Sequence, residues 1–398
     1  MTWVAHLVRT MTGERGAQLK LAASGTWSIP LNGLEDFTVT VDKAQLRGLE
    51  PEWWGHHRTS IAVSWRHEDG TLDAWVAGPI MGPPSETPST ATLTCKGIGA
   101  ILSARVTLSR DYGMPGDYQG DMWQLAHANV TRTGMSLGSI AQDIVELSTT
   151  RKLGGYLPIR YGSPRETGSK LNQRTYYGYN LANNVTWKRL TELTGVRGGP
   201  DIAFRPAWTD GGMLEWVMVH GTRAQPAIEQ AWTMDLDTTS STSPVASTSV
   251  STDASEVTNR VYWTGAGEGA GTLIRMVQDE PRLADHMPLL ESVGSTSDSD
   301  NPDLLLSHAQ AQLDDGRSSI TQISVKIDGS DQRCEIGRWR VGDAALLTLG
   351  DEWLTVPAGT TTKRIIAAKG SWDSNLVDLE FQDDGPIEYE EEPDGSAP

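Results

Sequence analysis

Apolar residues in this chain come in short runs of strand length. In the first hundred residues, FTVTV (37–41), SIAVSWRH (60–67) and ATLTCKGIGAIL (91–102) are examples of runs that read as short strands. Gly, Pro, Asn and Asp separate these runs at near-regular intervals. A period of two predicts β-strands, and many short, evenly spaced strands predict a sandwich or a barrel. We therefore predict a small β-barrel domain over residues 1–108.

Helices are predicted among the strands after residue 108. The run SLGSIAQDIVELST (136–149) repeats an apolar residue every three or four positions, as the buried face of a helix does. A second helix is predicted for NNVTWKRLTELTG (183–195), with either asparagine as N-cap and the closing glycine as its end. Alternating apolar residues on both sides of Asp210-Gly211 predict a β-hairpin. Residues 109–235 therefore form a predicted α+β module.

Residues 236–255 are dominated by serine and threonine, as in TTSSTSPVASTSVST (238–252). This composition is too polar to bury a core, so it predicts an exposed connector. A glycosylated stalk is the alternative interpretation. It is disfavoured because the N-terminal sequence lacks the charged and apolar regions of a secretory signal.

Residues 256–384 return to strand patterns and predict a second β-barrel domain. An insertion at about 279–317 interrupts it, with a helix that has Asn301 as N-cap and Pro302 as its first residue. The acidic tail, residues 385–398, is predicted to be disordered. The predicted fold class is α+β and mainly β, with β-barrel domains at the N- and C-terminal ends and the α+β module between them.

One stretch of the predicted second barrel resembles a phosphate-binding motif. The run GAGEGA (265–270) follows an apolar run and matches the G-x-G-x-x-G/A pattern of dinucleotide sites. That pattern binds pyrophosphate where a helix starts inside it. Here GTLIRMVQDE (271–280) continues with strand alternation, and the charge of Glu268 would repel a phosphate. We therefore predict a hairpin turn and no cofactor.

The formal net charge of -18 limits the partners of the chain. An acidic surface repels phosphate groups, so neither sequence-specific nucleic-acid binding nor attraction to anionic lipid is expected. Cys95 and Cys334 lie far apart and outside any C-x-x-C pattern, which predicts buried free thiols. Since no apolar run has the length of a membrane helix, we expect no membrane-spanning segment.

No catalytic, metal-binding or cofactor-binding residues are predicted. The eight histidines are scattered, and the adjacent His56 and His57 are expected to point to opposite sides of a strand. Carboxylates are numerous, but the sequence does not identify a pair that could hydrolyse a glycosidic bond. No nucleophile elbow of a serine hydrolase is predicted.

Tryptophan is unusually frequent, with 15 residues against 3 phenylalanines. Trp53-Trp54 or Trp123 could form an aromatic platform for sugars. Most of the other tryptophans lie within strand-like runs, so a role in a sheet core or a subunit interface is favoured.

Four stretches of the chain carry a family resemblance. They are SWRHEDGTLDAWVAGPI (64–80), ATLTCKGIGAILSARV (91–106), VTNRVYWTGAGEG (257–269), and LLLSHAQAQLDDGRSSITQISVKI (304–327) leading into WRVGDAALLTLGD (339–351). Together they resemble the minor tail proteins that form the baseplate hub of long-tailed, siphovirus-type phages of actinobacterial hosts. The resemblance covers residues 1–384.

The resemblance implies a structural virion protein at the phage tail tip, assembled in the host cytoplasm. It implies a homotrimer in which each chain supplies two similar barrels, so that three chains form a ring. That ring would join a six-fold tail tube to three-fold tip proteins and form part of the channel for DNA. The implied partners are the distal tail protein or tail tube proteins, the tape measure protein, and tail-tip or receptor-binding proteins.

Two other functions are compatible with the sequence. The first is a tail-associated hydrolase of the host cell wall, and the second is a glycan-binding module. No lytic or receptor-binding domain is recognised after the second predicted barrel, so we expect a structural protein without enzymatic activity.

Overall fold

The structure of the chain is a computed structural model that describes residues 2–22, 24–111, 123–168, 172–196, 198–230, 232–296, 300–317 and 320–382. Strands predominate over helices, which confirms the predicted α+β, mainly β fold class. The chain divides into two compact units. The first unit draws on residues 1–248, 324–350 and 358–398, and the second on residues 249–323 and 351–357. The predicted disordered tail, residues 385–398, lies outside the described residues.

The elements are numbered in chain order. The strands are β1 (Thr2–Arg9), β2 (Arg15–Leu19), β3 (Thr26–Pro30), β4 (Asp36–Asp42), β5 (Thr59–Arg66), β6 (Leu72–Pro79), β7 (Ser85–Glu86), β8 (Thr90–Lys96), β9 (Val130–Thr133), β10 (Ile159–Tyr161), β11 (Gln173–Tyr176), β12 (Ile202–Trp208), β13 (Leu214–His220), β14 (Met234–Asp237), β15 (Val245–Asp253), β16 (Arg260–Thr264), β17 (Ile274–Gln278), β18 (Glu291–Ser295), β19 (Ile320–Asp328), β20 (Ala344–Leu349), β21 (Gly359–Ser371) and β22 (Leu376–Phe381). The helices are α1 (Lys43–Arg47), α2 (Gly99–Leu102), α3 (Trp123–Ala126), α4 (Leu137–Thr149), α5 (Thr186–Thr194), α6 (Glu280–Ala284) and α7 (Pro302–Asp315).

The first unit contains two small sheets, β10-β13-β12 and β11-β9, and two larger ones. One is an antiparallel sheet with the order β2-β1-β5-β6. The other has the order β15-β19-β22-β21-β3-β4-β8-β7, and β20 joins it by pairing with β21 and β14. In this sheet β21 pairs with β3, with Ala368 opposite Ile29. Strands from the two ends of the chain therefore share one sheet, although the predicted division places them in different domains.

The predicted helix at 136–149 is confirmed as α4. The Ser136 hydroxyl caps it by accepting a hydrogen bond from the Ser139 N–H, which satisfies one of the free amides of the first turn. Apolar residues of α4 face a core that also contains Trp216 and Met218 of β13.

The second predicted helix is confirmed as α5, but its predicted N-cap is wrong. The residue before the helix is Val185, and no side chain caps the first turn. The Asn184 side-chain oxygen instead accepts a hydrogen bond from the Arg189 guanidinium, 2.9 Å away, and its amide nitrogen donates to the Tyr177 carbonyl at 2.8 Å. Gly195 follows the last residue of the helix, as predicted.

The predicted hairpin around Asp210-Gly211 is confirmed. Strand β12 pairs with β13 in antiparallel register, with Ile202 opposite His220 and Trp208 opposite Leu214. The turn places Gly212 at a φ of 72°, a left-handed conformation that glycine adopts without strain.

Residues 236–255 differ from the predicted connector because they include a strand. The polar run forms β15, which pairs with β19 although most of its side chains are exposed. Threonine and valine favour the extended backbone, and the hydrogen-bonded ladder needs no apolar side chains.

In the second unit, a three-stranded sheet packs on a helix. The sheet order is β17-β16-β18, and α7 covers one of its faces through Ala309 and Leu313 against Val261. Asn301 caps α7, and Pro302 is its first residue, as predicted. Within the described residues no helix is both long and apolar enough to cross a bilayer.

Candidate assembly site

A tryptophan cluster in the first unit joins the N-terminal strands to the C-terminal segment. Trp3 makes edge-to-face contacts with Trp65, at 4.9 Å between ring centroids, and with Trp372, at 5.1 Å. Trp75 contacts Trp339 in the same way at 5.0 Å. The Trp372 indole N–H also donates to the Thr38 carbonyl, 2.7 Å away. These tryptophans therefore belong to a core, which is one of the two roles predicted for them.

A buried ionic contact lies beside this core. The Asp201 carboxylate pairs with the Arg364 guanidinium, and the exposed fractions of their side chains are 8% and 10%. Asp201 also accepts hydrogen bonds from the Asn32 amide at 2.9 Å and from the Ile228 N–H at 3.1 Å. An unpaired charge is costly in a buried environment. The contacts of Asp201 with Arg364, Asn32 and Ile228 therefore hold their chain segments in one arrangement.

A second buried carboxylate, Asp343, makes a similar connection. It accepts hydrogen bonds from the Gln230 N–H at 2.9 Å, from the Gln230 amide at 2.6 Å and from the Arg340 N–H at 2.7 Å. The Arg340 guanidinium contacts both carboxylate oxygens of Asp73, at 2.8 and 2.9 Å. We call Asn32, Asp73, Asp201, Gln230, Arg340, Asp343 and Arg364 the ionic junction. It binds the N-terminal strands, the end of the α+β module and the C-terminal strands together.

The glycine-rich run at 265–270 forms a hairpin turn, as predicted. Strands β16 and β17 pair on either side of it, and the Gly265 N–H donates to the Leu273 carbonyl, 2.7 Å away. Gly267 has a φ of 127°, where a side chain would be strained. A strand, rather than the helix of a dinucleotide site, follows the turn.

Trp53 is half-buried and does not present an open ring. The Arg9 guanidinium lies over it, 4.0 Å from the ring centroid, and Gly16 packs so closely that a Cβ there would lie 2.4 Å from the ring. The side chain of Trp123 lies outside the described part of the chain. The predicted strand position of His56 and His57 is wrong, because both lie in a turn and His57 has a φ of 58°.

The prediction of buried free thiols is confirmed for Cys95 and Cys334. Burial raises the pKa of Cys334 to about 12, and burial also raises the pKa of Cys95. Neither thiol is therefore an activated nucleophile. Among the described residues, no three His, Cys, Asp or Glu side chains are grouped as metal ligands would be.

The open face of the second unit's sheet carries exposed apolar side chains. Register places Met276, Tyr262 and Val293 side by side across the three strands, opposite the face that α7 covers. Met276 is 46% exposed and Val293 is 70% exposed. Ile274 extends the same face. We call these four residues the open face.

The first unit also contains a polar groove that the sequence analysis missed. One cleft, of about 580 Å³, is lined by residues of 232–244 and 332–338, among them Trp232 and Asp235. A second cleft, of about 410 Å³, is lined by residues of 67–71 and 332–338. The two clefts adjoin because Gln332 and Arg338 line both. Neither the polar groove nor the ionic junction has a local sequence signature, because each is formed by segments that lie far apart in the chain and meet only in the fold.

Comparisons with known proteins reveal similarity in fold. No family model matches the chain, and no curated protein matches its sequence. The crystal structure of the tail protein from Neisseria meningitidis MC58 is 13% identical, with a TM-score of 0.53 over 96% of this chain and 97% of that chain. The 43 kDa tail protein of prophage MuSo2 from Shewanella oneidensis is 13% identical, with a TM-score of 0.52 over 95% of this chain and 98% of that chain. The chain therefore shares the fold of two tail proteins along nearly its whole length.

Proposed function

We propose that this chain is a structural protein of a phage tail tip, a baseplate hub ring that joins a six-fold tail tube to three-fold tip proteins. The observation that carries the proposal is the fold shared with two tail proteins over 95% or more of each chain. The sheet in which β3 pairs with β21 is consistent with it, because that sheet joins both ends of the chain.

The finer parts of this proposal follow the family resemblance of the sequence. The ring is a homotrimer within a siphovirus-type virion, and each chain supplies two similar β-barrels to it. Its neighbours are the distal tail protein or tail tube proteins, the tape measure protein, and the tail-tip or receptor-binding proteins. The protein is assembled in the host cytoplasm.

We assign the open face to a subunit contact of the trimer. Contiguous exposed apolar side chains on a protein of net charge -18 would otherwise favour aggregation, and such patches are typical of interfaces. Arg260 and Glu291 flank the face as an ion pair with 3.2 Å between charged atoms, which provides a polar rim.

The mass of the native particle tests this proposal. We expect light scattering of the purified full chain to give three times the mass of one chain, 43.2 kDa. The Val293→Asp variant should lower that mass, because a carboxylate would be buried in the contact. Leu354→Asp is the matched control, since Leu354 is fully exposed at 103% and lies outside the open face. A monomeric wild-type chain would contradict the trimer, and equal effects of both variants would contradict the assigned contact.

The net charge has a role in this proposal. Acidic side chains that line the channel of the ring would let DNA pass without forming phosphate contacts. Replacing channel-facing carboxylates by lysine should then slow genome ejection, whereas unchanged ejection kinetics would contradict this role.

A cell-wall hydrolase is the competing function. A zymogram of the purified chain on host cell wall separates the two, because a structural protein leaves no cleared band. Labelling of virions with an antibody against the chain should mark the tail tip, and label elsewhere on the particle would contradict the location.

A further inference from the structure

The polar groove has the size and the rigidity of a binding site. Its two adjoining clefts measure about 580 and 410 Å³, a range in which proteins bind small molecules and short oligomers. The buried Glu335 contacts His67 at 2.6 Å and Arg338 at 3.3 Å, so it fixes two side chains of the wall. Gly337 has a φ of 104° and lies so close to Asp73 that a Cβ would be 2.3 Å from the carboxylate, so a larger residue would not fit at this point. A wall fixed before binding loses little entropy when a ligand arrives.

The chemistry of the lining differs from that of a protein interface. Trp232, 37% exposed, supplies one aromatic ring to the lining of the first cleft. Apart from Pro244, the rest of that cleft is carboxylate, hydroxyl, amide and guanidinium groups, such as Asp235, Ser240 and Gln332. A peptide would find two apolar side chains here, Trp232 and Pro244. A sugar ring presents an apolar face for an aromatic ring and a rim of hydroxyls for planar polar side chains, so it fits this lining better.

The charges of the groove select against an anionic ligand. Arg333 is paired with Asp331 at 2.7 Å, and Arg338 is paired with Glu335. Among the described residues, no cation lies within ion-pair distance of Asp235 or Asp237. The arginines of the groove are therefore neutralised, and the carboxylates would repel uronic acids and phosphates.

We propose that the polar groove binds a neutral oligosaccharide, with one sugar ring stacked on Trp232 and the chain continuing past Gln332 into the second cleft. Asp235 accepts hydrogen bonds from the hydroxyls of the stacked sugar, and Asp69 and Thr71 line the path of the sugars beyond Gln332. This binding goes beyond the hub function and does not depend on it.

Calorimetric titration of the full-length protein tests the proposal. The probes are maltohexaose and cellohexaose, their disaccharides maltose and cellobiose, and a hyaluronan hexasaccharide as the anionic counterpart. We expect at least one neutral hexasaccharide to bind, with its disaccharide about tenfold weaker because the second cleft stays empty. Trp232→Ala should weaken hexasaccharide binding about tenfold or more. Tyr179→Ala is the matched control, since Tyr179 is a 69% exposed aromatic outside the groove, and it should leave binding unchanged.

A second variant tests the length of the site. Asp69→Ala changes only the second cleft, so it should weaken binding of the hexasaccharide and leave binding of the disaccharide unchanged. The proposal is overturned if no neutral sugar binds at about 10 mM, if hyaluronan binds as tightly as the neutral hexasaccharides, or if Trp232→Ala and Tyr179→Ala behave alike. The oligomeric mass of Trp232→Ala is measured in parallel. An unchanged mass shows that loss of sugar binding in this variant does not come from loss of assembly. A wild-type protein of trimer mass that binds no neutral sugar would refute the groove proposal and leave the hub proposal intact.

Discussion

At the scale of single residues, the buried ion pair between Asp201 and Arg364 should matter most for stability. Removing one partner leaves the other charge buried and unpaired, so Arg364→Ala should lower the free energy of unfolding by about 3–5 kcal/mol. Lys326→Ala is the control, because Lys326 and its partner Asp378 are 39% and 48% exposed. That variant should lower the free energy of unfolding by less than about 1 kcal/mol. Urea titration measures both losses. Equal losses would show that the ionic junction does not hold the first unit together.

A second residue-scale prediction concerns Glu35, which lines a small cavity of about 40 Å³ together with Trp75, Arg205 and Arg340. Burial raises the pKa of Glu35 from 4.5 to about 7. Between these pH values the folded chain binds more protons than the unfolded chain, so this carboxyl costs stability as pH rises from 4.5 to about 7.

The Glu35→Gln variant cannot ionise and should escape this cost. Its unfolding free energy relative to the wild type should rise by about 1–3 kcal/mol between about pH 5 and about pH 8. The measurement is urea unfolding at both pH values. The exposed Glu50→Gln serves as the control and should show no such rise. A Glu35→Gln curve parallel to that of the wild type would mean that the carboxyl is ionised in the folded chain without cost.

At the scale of elements, the helix α7 depends on its cap. The Asn301 side chain accepts hydrogen bonds from the Asp303 N–H at 3.0 Å and from the Leu304 N–H at 3.3 Å. Asn301→Ala leaves these amides without that acceptor and should destabilise the second unit by about 1 kcal/mol. Asn301→Asp keeps an acceptor and should restore most of the loss. Amide hydrogen exchange of α7 reports the change locally, and equal exchange in both variants would contradict it.

Elements were predictable where their signals are local. The helices α4 and α7 and the hairpin of β12 and β13 follow from apolar spacing, a capping residue and turn glycines within a few positions. The N-cap of α5 was not predictable, because the Asn184 oxygen accepts from Arg189 and its amide donates to Tyr177, contacts that only the folded chain supplies. The strand β15 was missed for a related reason. Its partner strand provides the backbone pairing that a polar composition does not reveal.

At the scale of the whole molecule, the pairing of β3 with β21 could not be predicted from the sequence. The paired residues lie more than 300 positions apart in the chain, and no local pattern links them. The same limit applies to the site. The 163-residue separation of Asp201 and Arg364 hides their contact, and the groove unites three distant segments. Burial was easier to predict for Trp65 and Trp75, because both lie in the strand-like runs in which the sequence places most tryptophans.

The shared sheet predicts that the chain cannot fold without its last two strands. β21 pairs with β3, β20 and β22. The last two strands of the chain, β21 and β22, carry fully buried side chains such as Ile365 and Phe381. A chain of residues 1–357 should therefore lack cooperative unfolding and near-ultraviolet circular dichroism. A chain of residues 1–382, which keeps every described strand, should match the full-length protein in both measurements.

Supply of the missing strands in trans sharpens this test. When residues 1–357 and 358–398 are expressed together, pairing of β21 with β3 should give a soluble complex. The short fragment returns Arg364 to the ionic junction and Trp372 to the tryptophan cluster. The Arg364→Ala change in the short fragment should weaken this recovery, whereas Lys369→Ala, which removes a cation 51% exposed and paired on the surface, should not. Independent folding of residues 1–357 would contradict the shared sheet, since the N-terminal strands would then need nothing from the other end of the chain.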